Sequence, residues 1–399
     1  MTVASRVLIV GASAAGLSTA QALRRHGFEG KITIVGDESR EAYDRPPLSK
    51  QILSGEWDEG RARLLPPARL ERIDAEVQHA RKAVGADVGA RTVRLDDGET
   101  LAYDELVIAT GVRPREIPGF RVDGVFVLRT FEHAQGLAAA IRQHGRMVIV
   151  GAGFLGLEVA ATARKLGAQV TVIEPISAPL ASRLGSYAAR RLVDLHVRSG
   201  VQIRAGVGVE SLALSDDGRV RGVRTNDGGL EEAPIVLLAI GCVPNVEWLQ
   251  GTGLDIHDGV GCDSSCRAAP HVWAAGDIAR WYHPGLGRQL RLEHRMNAAE
   301  QGSFVAANIM GAQDAFAPVP FFWTDHYDTK LQLAGVIPPG VVEQNEIEDE
   351  DSFVRTFWAG ERLMGVVGWN AAKAMMPFRR SLDLSAPMTA SPDCRDAAA

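Results

Sequence analysis

Two stretches of this chain repeat one device, a short apolar strand that runs straight into a glycine-punctuated turn and then a helix. RVLIVGASAAGL occupies residues 6–17 and MVIVGAGFLGLE residues 147–158, so that Gly11 and Gly151 stand 140 residues apart. A dinucleotide-binding turn needs one glycine for the sharp exit from the strand and a second where backbone approaches a pyrophosphate. A third lets helix and strand pack closely. One such spacing alone is a weak signal. Here each copy is followed by a helix and a second apolar strand, KITIVGDE after the first and QVTVIEP after the second. The result is two βαβ units whose helix N-termini offer free N–H groups and a positive dipole end to phosphate. The fold class that follows is α/β with two Rossmann-like dinucleotide-binding domains.

In the first copy the turn comprises Gly11, Ser13, Ala14, Ala15 and Gly16, with Ser13 in the middle glycine's place. A serine there moves a phosphate slightly outward unless its hydroxyl joins the binding. The second copy, Gly151, Gly153, Phe154 and Gly156, keeps the full pattern. Each unit also places an acid at the end of its second strand, Asp37 and Glu174, where a carboxylate accepts hydrogen bonds from a ribose 2′-OH. Such an acid opposes a 2′-phosphate by about 1 kcal/mol in water, rising to about 4 kcal/mol at an effective dielectric of 20. Tenfold discrimination needs only about 1.4 kcal/mol, so Glu174 is expected to favour NADH over NADPH.

A chain of 399 residues is expected to divide into two or three domains. Its formal net charge of −6 argues against a general nucleic-acid binder. The four cysteines, Cys242, Cys262, Cys266 and Cys394, offer no disulfide framework, zinc site or cluster spacing. No stretch approaches the roughly 20 apolar residues of a membrane span, and MTVASR leads into VLIV without a signal-peptide pattern. A cytoplasmic chain with no metal site and no membrane partner is the expectation, with a monomer as the oligomeric state.

Two further stretches resemble motifs of two-dinucleotide flavoproteins. ELVIATGVRP, with Ala109, Thr110 and Gly111, is similar to their ATG segment, and HVWAAGDIARW, with Gly276 and Asp277, to the GD motif whose aspartate holds a flavin ribityl hydroxyl. This order implies an FAD-binding domain from residues 1–112 and 246–317, and an NADH-binding domain inserted at 113–245 that ends near Gly241 in AIGCVPN. One glycine turn then serves FAD and the other NADH. Segments 318–399, with FFWTDHYDTKLQLAGV and SFVRTFWAGERLMGVVGWN, read as antiparallel strands followed by a helix, AAKAMMPFRRSL. The tail SAPMTASPDCRDAAA has a disorder-like composition.

At larger scale, YDRPPLSK (43–50), LRTFEHA (128–134), GAGFLGLEVAATARKLGA (151–168), RLEHRMNAAEQG (291–302) and FFWTDHYD (321–328) resemble the NADH-dependent ferredoxin reductases of bacterial oxygenase systems. The resemblance covers nearly the whole chain and implies a glutathione-reductase-like pair of dinucleotide domains plus an α+β C-terminal interface domain. It also implies that Asp37, Arg45, Lys50, Ala83, Arg129, Asp277 and Arg295 line FAD, with Trp323 as the nearest aromatic. Lys50 would pair with Glu158 near the flavin N5 edge and stabilise the negative charge of reduced flavin. The residue types alone equally allow Lys50 to face solvent and Glu158 to be a first-turn acid matching the helix dipole. Arg295 departs from the family's apolar or aromatic preference at its position.

The activity implied is transfer of hydride from NADH to FAD, then of single electrons to an iron–sulfur ferredoxin serving a P450 or Rieske-type oxygenase. An acidic ferredoxin would dock near Arg291, Arg295, Lys373, Arg379 and Arg380. Disulfide reductases on this scaffold need a cysteine pair, and thiol peroxidases a single cysteine near residue 44, and EAYDRPPLSK has neither. Rubredoxin, quinone and monodehydroascorbate reduction remain open, as does a non-enzymatic NADH-sensing protein of the apoptosis-inducing-factor type.

Overall fold

In the computed structural model, residues 4–385 are described, and Cys394 with the rest of the C-terminal tail lies outside them. The strand Arg6–Val10 sits inside a six-stranded sheet, parallel to Lys31–Val35 on one side and to Glu105–Ile108 on the other. Val7, Leu8, Ile9 and Val10 are all buried, as a parallel strand covered on both faces requires. The second unit repeats this order. Arg146–Val150 lies between Gln169–Glu174 and Val236–Leu238 in an all-parallel five-stranded sheet.

The crossover helices Ala14–Arg25 and Phe154–Lys165 follow the two turns and end at Gly27 and Gly167, both left-handed with φ of 83° and 87°. Glycine has no Cβ to penalise that conformation, so each helix stops there. Between the units the chain crosses twice, and the strands Val112–Pro114 and Cys242–Pro244 pair there as an antiparallel ribbon.

The last part is a five-stranded antiparallel sheet. Its order is Phe321–His326, Thr329–Gly335, Arg362–Trp369, Phe353–Ala359, Val342–Glu348. The helix Ala372–Ser381 packs on it through Met375, which is buried beside Val366 and Ala334. The edge strand Val342–Glu348 is mostly exposed and strongly acidic, which suits an edge that must not recruit a further strand. No helix among the described residues is long and apolar enough to cross a membrane.

One close contact ties the first glycine turn to the distant GD motif. The helix Arg295–Ile309 crosses Ala14–Arg25 at Gly302, where an added Cβ would lie 2.4 Å from the Ala15 carbonyl oxygen and 2.9 Å from Thr19 Oγ1. Gln301, next to it and fully buried, accepts from the Gly276 N–H at 2.9 Å. Gly302→Ala is therefore expected to push the helices apart and cost about 1–3 kcal/mol, read as a lower urea midpoint with an unchanged slope.

Candidate functional site

The two glycine turns are built by the same contacts. In the first, the Gly11 N–H donates to Val35 O at 2.7 Å and the Ala109 N–H to Val10 O at 2.7 Å. In the second, the Gly151 N–H donates to Ile173 O and the Ala239 N–H to Val150 O, both at 2.8 Å. A Cβ on Gly11 would stand 2.1 Å from Ala109 O, and one on Gly151 2.4 Å from Ala239 O. A Cβ on Gly16 or Gly156 would meet the carbonyl oxygen of Gly11 or Gly151 at 1.9 or 2.1 Å. The segment ending at Gly241 (φ 94°) thus supports the second turn as the segment ending at Gly111 (φ 63°) supports the first.

Ser13 and Gly153 are the N-cap residues of the two crossover helices, and neither helix start is closed by a side-chain hydrogen bond. The first-turn N–H groups, at Ala14 and Ala15 in one helix and Phe154 in the other, remain available to a phosphate. This donor set fits two dinucleotides.

A cavity of about 520 Å³ runs along the first turn. Gly11, Ser13, Asp37, Ala83, Ala109, Thr110 and Arg129 border it, with Asp37 exposed at its rim and Ala83 buried in its wall. It leads to a cavity of about 300 Å³ bordered by Ala14, Ala15, Arg45, Gly111, Gly276, Asp277 and Arg295. Each cation of this second cavity has an acidic partner. Arg45 Nη2 bonds Glu38 Oε1 at 2.5 Å, Arg129 Nη2 bonds Asp277 Oδ2 at 3.2 Å, and Arg295 Nε bonds Asp44 Oδ1 at 2.5 Å. Arg45 also donates to the Arg129 carbonyl at 2.6 Å.

The remaining cavity, again about 520 Å³, is bordered by Lys50, Phe154, Glu158, Gly241, Arg295 and Trp323. Lys50 Nζ lies 2.7 Å from Glu158 Oε2, with 14% and 10% of the two side chains exposed. Such burial rules out the solvent-facing alternative for Lys50. Glu158 lies beyond the first turn of its helix, which holds no acid, so the dipole alternative does not apply to it. The carboxylate is held further by Ser49 Oγ on Oε2 and Thr324 Oγ1 on Oε1, each at 2.6 Å. Phe154 packs on Phe322 at a centroid distance of 4.4 Å, and Trp323 stacks on Phe321 at 6.3 Å.

Gly151, Gly153, Gly156 and Glu174 border none of these three cavities. Glu174 instead caps its own turn, Oε2 accepting from the Ala152 N–H at 2.8 Å and Oε1 from the Ile176 N–H at 3.0 Å. Of the basic candidates, Arg291 is mostly buried and paired with Asp258 and Glu293. Lys373, Arg379 and Arg380 are exposed on the closing helix, where Arg379 lies 4.0 Å over the Phe321 ring.

Several site residues escape sequence reasoning. Glu38, Ser49 and Thr324 partner predicted residues from unremarkable positions. Cys242 follows Gly241 directly and borders both inner cavities, a placement that the AIGCVPN segment already carried. Burial pushes its thiol up to about 11, and Glu293 adds to the shift. Cys262 and Cys266 are buried away from the cavities, and burial raises both thiols as well. Thiolate at Cys242 is correspondingly scarce near neutral pH. Its alkylation by iodoacetamide at pH 7.5 should run about a hundredfold slower than that of a free thiol and accelerate as pH rises toward 11. Mass spectrometry of the modified peptide checks this.

Two dinucleotide-type turns, with a buried lysine–carboxylate pair that joins the first unit to the crossover helix of the second, define a dinucleotide-dependent oxidoreductase. Residues 5–302 match the pyridine nucleotide-disulphide oxidoreductase family, and the chain belongs to it; residues 321–398 match the reductase C-terminal family. The chain is 37% identical over 388 residues to rhodocoxin reductase of Rhodococcus erythropolis, covering 96% of this chain and 90% of that protein. It is also 37% identical over 381 residues to the ferredoxin–NAD(+) reductase component of the p-cumate 2,3-dioxygenase system of Pseudomonas putida, covering 94% and 92%. Among solved structures, the covalent putidaredoxin reductase–putidaredoxin complex superposes with a TM-score of 0.89 at 30% identity, covering 94% of this chain and 92% of that one.

Proposed function

We propose that this protein is an FAD-dependent ferredoxin reductase that takes hydride from NADH and passes single electrons to an iron–sulfur ferredoxin serving a P450 or Rieske-type oxygenase. The observation that carries this reading is the Lys50–Glu158 pair, buried where the turn of the first unit and the helix of the second approach one another. FAD, when bound, supplies the two-electron to one-electron conversion. The FAD domain is assigned to 1–112 and 246–317, the NADH domain to 113–245, and the interface domain to 318–399.

Gly11, Gly16 and the N–H groups of Ala14 and Ala15 would hold the FAD pyrophosphate, Arg45, Arg129 and Asp277 its inner half, and Asp37 the ribose. Lys50 would present a positive charge beside the flavin ring, and Glu158 would keep that charge in place. Hydride transfer needs no acid or base on the nicotinamide, so positioning by Phe154, Gly241 and Trp323 does most of the work. Glu174 holds the second turn and opposes a 2′-phosphate.

Docking of an acidic ferredoxin is assigned to the surface around Arg291, Arg295, Lys373, Arg379 and Arg380. Among the described residues, Lys373, Arg379 and Arg380 form no ion pair, so they supply most of the steering charge. The enzyme acts as a monomer in the cytoplasm.

The test is NADH-dependent cytochrome c reduction with and without an added iron–sulfur ferredoxin, with NADPH as a parallel donor. A rate that depends on ferredoxin and on NADH, and that falls as salt rises, supports the reading. Equal rates without ferredoxin leave a general flavin reductase instead. Glu158→Gln is expected to slow flavin reduction by NADH about tenfold or more, because the Lys50 ammonium loses its counter-ion. Glu174→Ala is expected to narrow the NADH preference about tenfold, seen in the ratio of kcat/KM values.

A further inference from the structure

The Lys50–Glu158 pair is the inner end of a longer line of hydrogen-bonding groups that hydride transfer does not use. Glu158 Oε1 accepts from Thr324 Oγ1 at 2.6 Å, and Thr324 Oγ1 is 2.9 Å from His326 Nε2. His326 Nδ1 is 3.3 Å from His196 Nε2, and His196 Nδ1 is 3.4 Å from the Tyr327 hydroxyl. Thr324, His326 and His196 are fully buried, whereas Tyr327 is half-buried. Strand Phe321–His326 and the turn after it supply three of these groups, and the helix Ser186–Arg198 supplies His196.

Every member can accept a proton on one side and donate one on the other, since a neutral imidazole carries one N–H and one bare nitrogen. Burial pushes both imidazoles down to about 3, so both are neutral near pH 7. Among the groups facing the line, the Lys50 ammonium repels a charge on His326 and so favours that state. The Leu157 carbonyl favours the protonated ring but is outweighed by burial, and Ser199 and Arg164 face Tyr327 at the outer end. Burying two imidazoles and a hydroxyl between helix and sheet costs more desolvation than an apolar trio would.

Electron counting supplies the need. NADH delivers two electrons and one proton as hydride, while a ferredoxin takes electrons alone: NADH + 2 oxidised ferredoxin → NAD⁺ + 2 reduced ferredoxin + H⁺. One proton must leave the buried centre in each turnover. We propose that Glu158, Thr324, His326, His196 and Tyr327 form a relay that carries this proton from the Lys50–Glu158 pair to the surface. The proposal rests on the ferredoxin-reductase reading.

With Glu158 ionised the Thr324 hydroxyl donates to Oε1. Once Oε1 carries a proton, the carboxyl donates to Thr324 Oγ1 instead and the hydroxyl turns toward a bare His326 Nε2, so the proton passes to Thr324 Oγ1 as the hydroxyl hydrogen moves to Nε2. The hydrogen on His326 Nδ1 then moves to His196 Nε2, that on His196 Nδ1 to the Tyr327 oxygen, and the phenolic hydrogen to water. One proton enters, one leaves, and no charge stays behind. Resetting the line requires the opposite tautomer of both rings, so both tautomers must be sampled.

Two measurements on the FAD-loaded protein decide this. In the first, NADH-reduced enzyme is mixed with an oxidised [2Fe–2S] ferredoxin in weak buffer with a pH-indicator dye, and proton release is compared with flavin reoxidation. In His196→Phe, which keeps a ring but loses both nitrogens, release should lag about tenfold behind wild type. Tyr327→Phe should lag less, and flavin reduction by NADH should stay within about twofold in both, since hydride brings its own hydrogen. In the second, ¹⁵N-histidine NMR of the wild type without NADH or ferredoxin should show two neutral imidazoles at pH 7 exchanging between tautomers.

Proton release that keeps pace in both variants, or a single fixed tautomer on each ring, would falsify the relay. Where His196→Phe does not fold, Tyr327→Phe and the NMR decide alone. A wild type that NADH reduces but ferredoxin fails to reoxidise overturns the ferredoxin reading instead, and leaves the NMR result standing by itself.

Discussion

A buried ammonium is tolerated only beside a carboxylate, and the Lys50–Glu158 pair joins three separate parts of this chain on that condition. Lys50 follows the PPLS turn of the first unit, Glu158 comes from the crossover helix of the second, and Thr324 reaches the same carboxylate from the C-terminal sheet. Removing one partner of such a pair costs about 3–5 kcal/mol, far more than the pair gives over an apolar substitute. The three parts are thus held in one relative arrangement by a charge that only their joint presence satisfies. Thr162 strengthens the joint, since its hydroxyl donates to the Ser49 carbonyl at 2.7 Å from the same helix as Glu158.

Around that joint the chain uses one solution to phosphate binding twice. In both units a glycine leaves the central strand against the carbonyl of an alanine from a neighbouring segment, Ala109 or Ala239, where even a methyl group has no room. This close approach leaves the helix N-terminus open to a ligand, and it explains why Ser13 is tolerated at the middle position. No protein atom restricts the space there, as Gly153 at the equivalent place has none within 4 Å of its would-be Cβ, so a demand for glycine at that place could come only from the pyrophosphate.

Much of this was legible in sequence because it depends on local spacing. The glycine turns, their βαβ context and the C-terminal strands follow from periods of two and 3.6 residues and from turn chemistry. The edge strand Val342–Glu348 did not, because VEQNEIE lacks an apolar face for a period to reveal. The partners of the predicted site residues were equally hidden. Asp44 meets Arg295 over 251 positions, and Thr324 meets Glu158 over 166. Nothing in the spacing of a chain encodes such long-range pairs; they appear only once the sheets fix which residues face one another.

Those pairs also change what the basic residues near the flavin-side cavities can do. Arg45, Arg129, Arg291, Arg295 and Lys50 each stand beside a carboxylate, whereas Lys82, Arg115 and Arg183, which also border the cavities, form no ion pair among the described residues. Paired guanidinium groups stay fixed in direction, which suits the holding of a ligand, but they project little field into solvent. The closing helix is the reverse case. Lys373, Arg379 and Arg380 are exposed there, and Arg379 rests on Phe321, which stacks in turn on Trp323 at the cavity edge. On the docking proposal, long-range attraction and cofactor binding are thus carried by different arginines, which allows the surface to match a partner without disturbing the site beneath it.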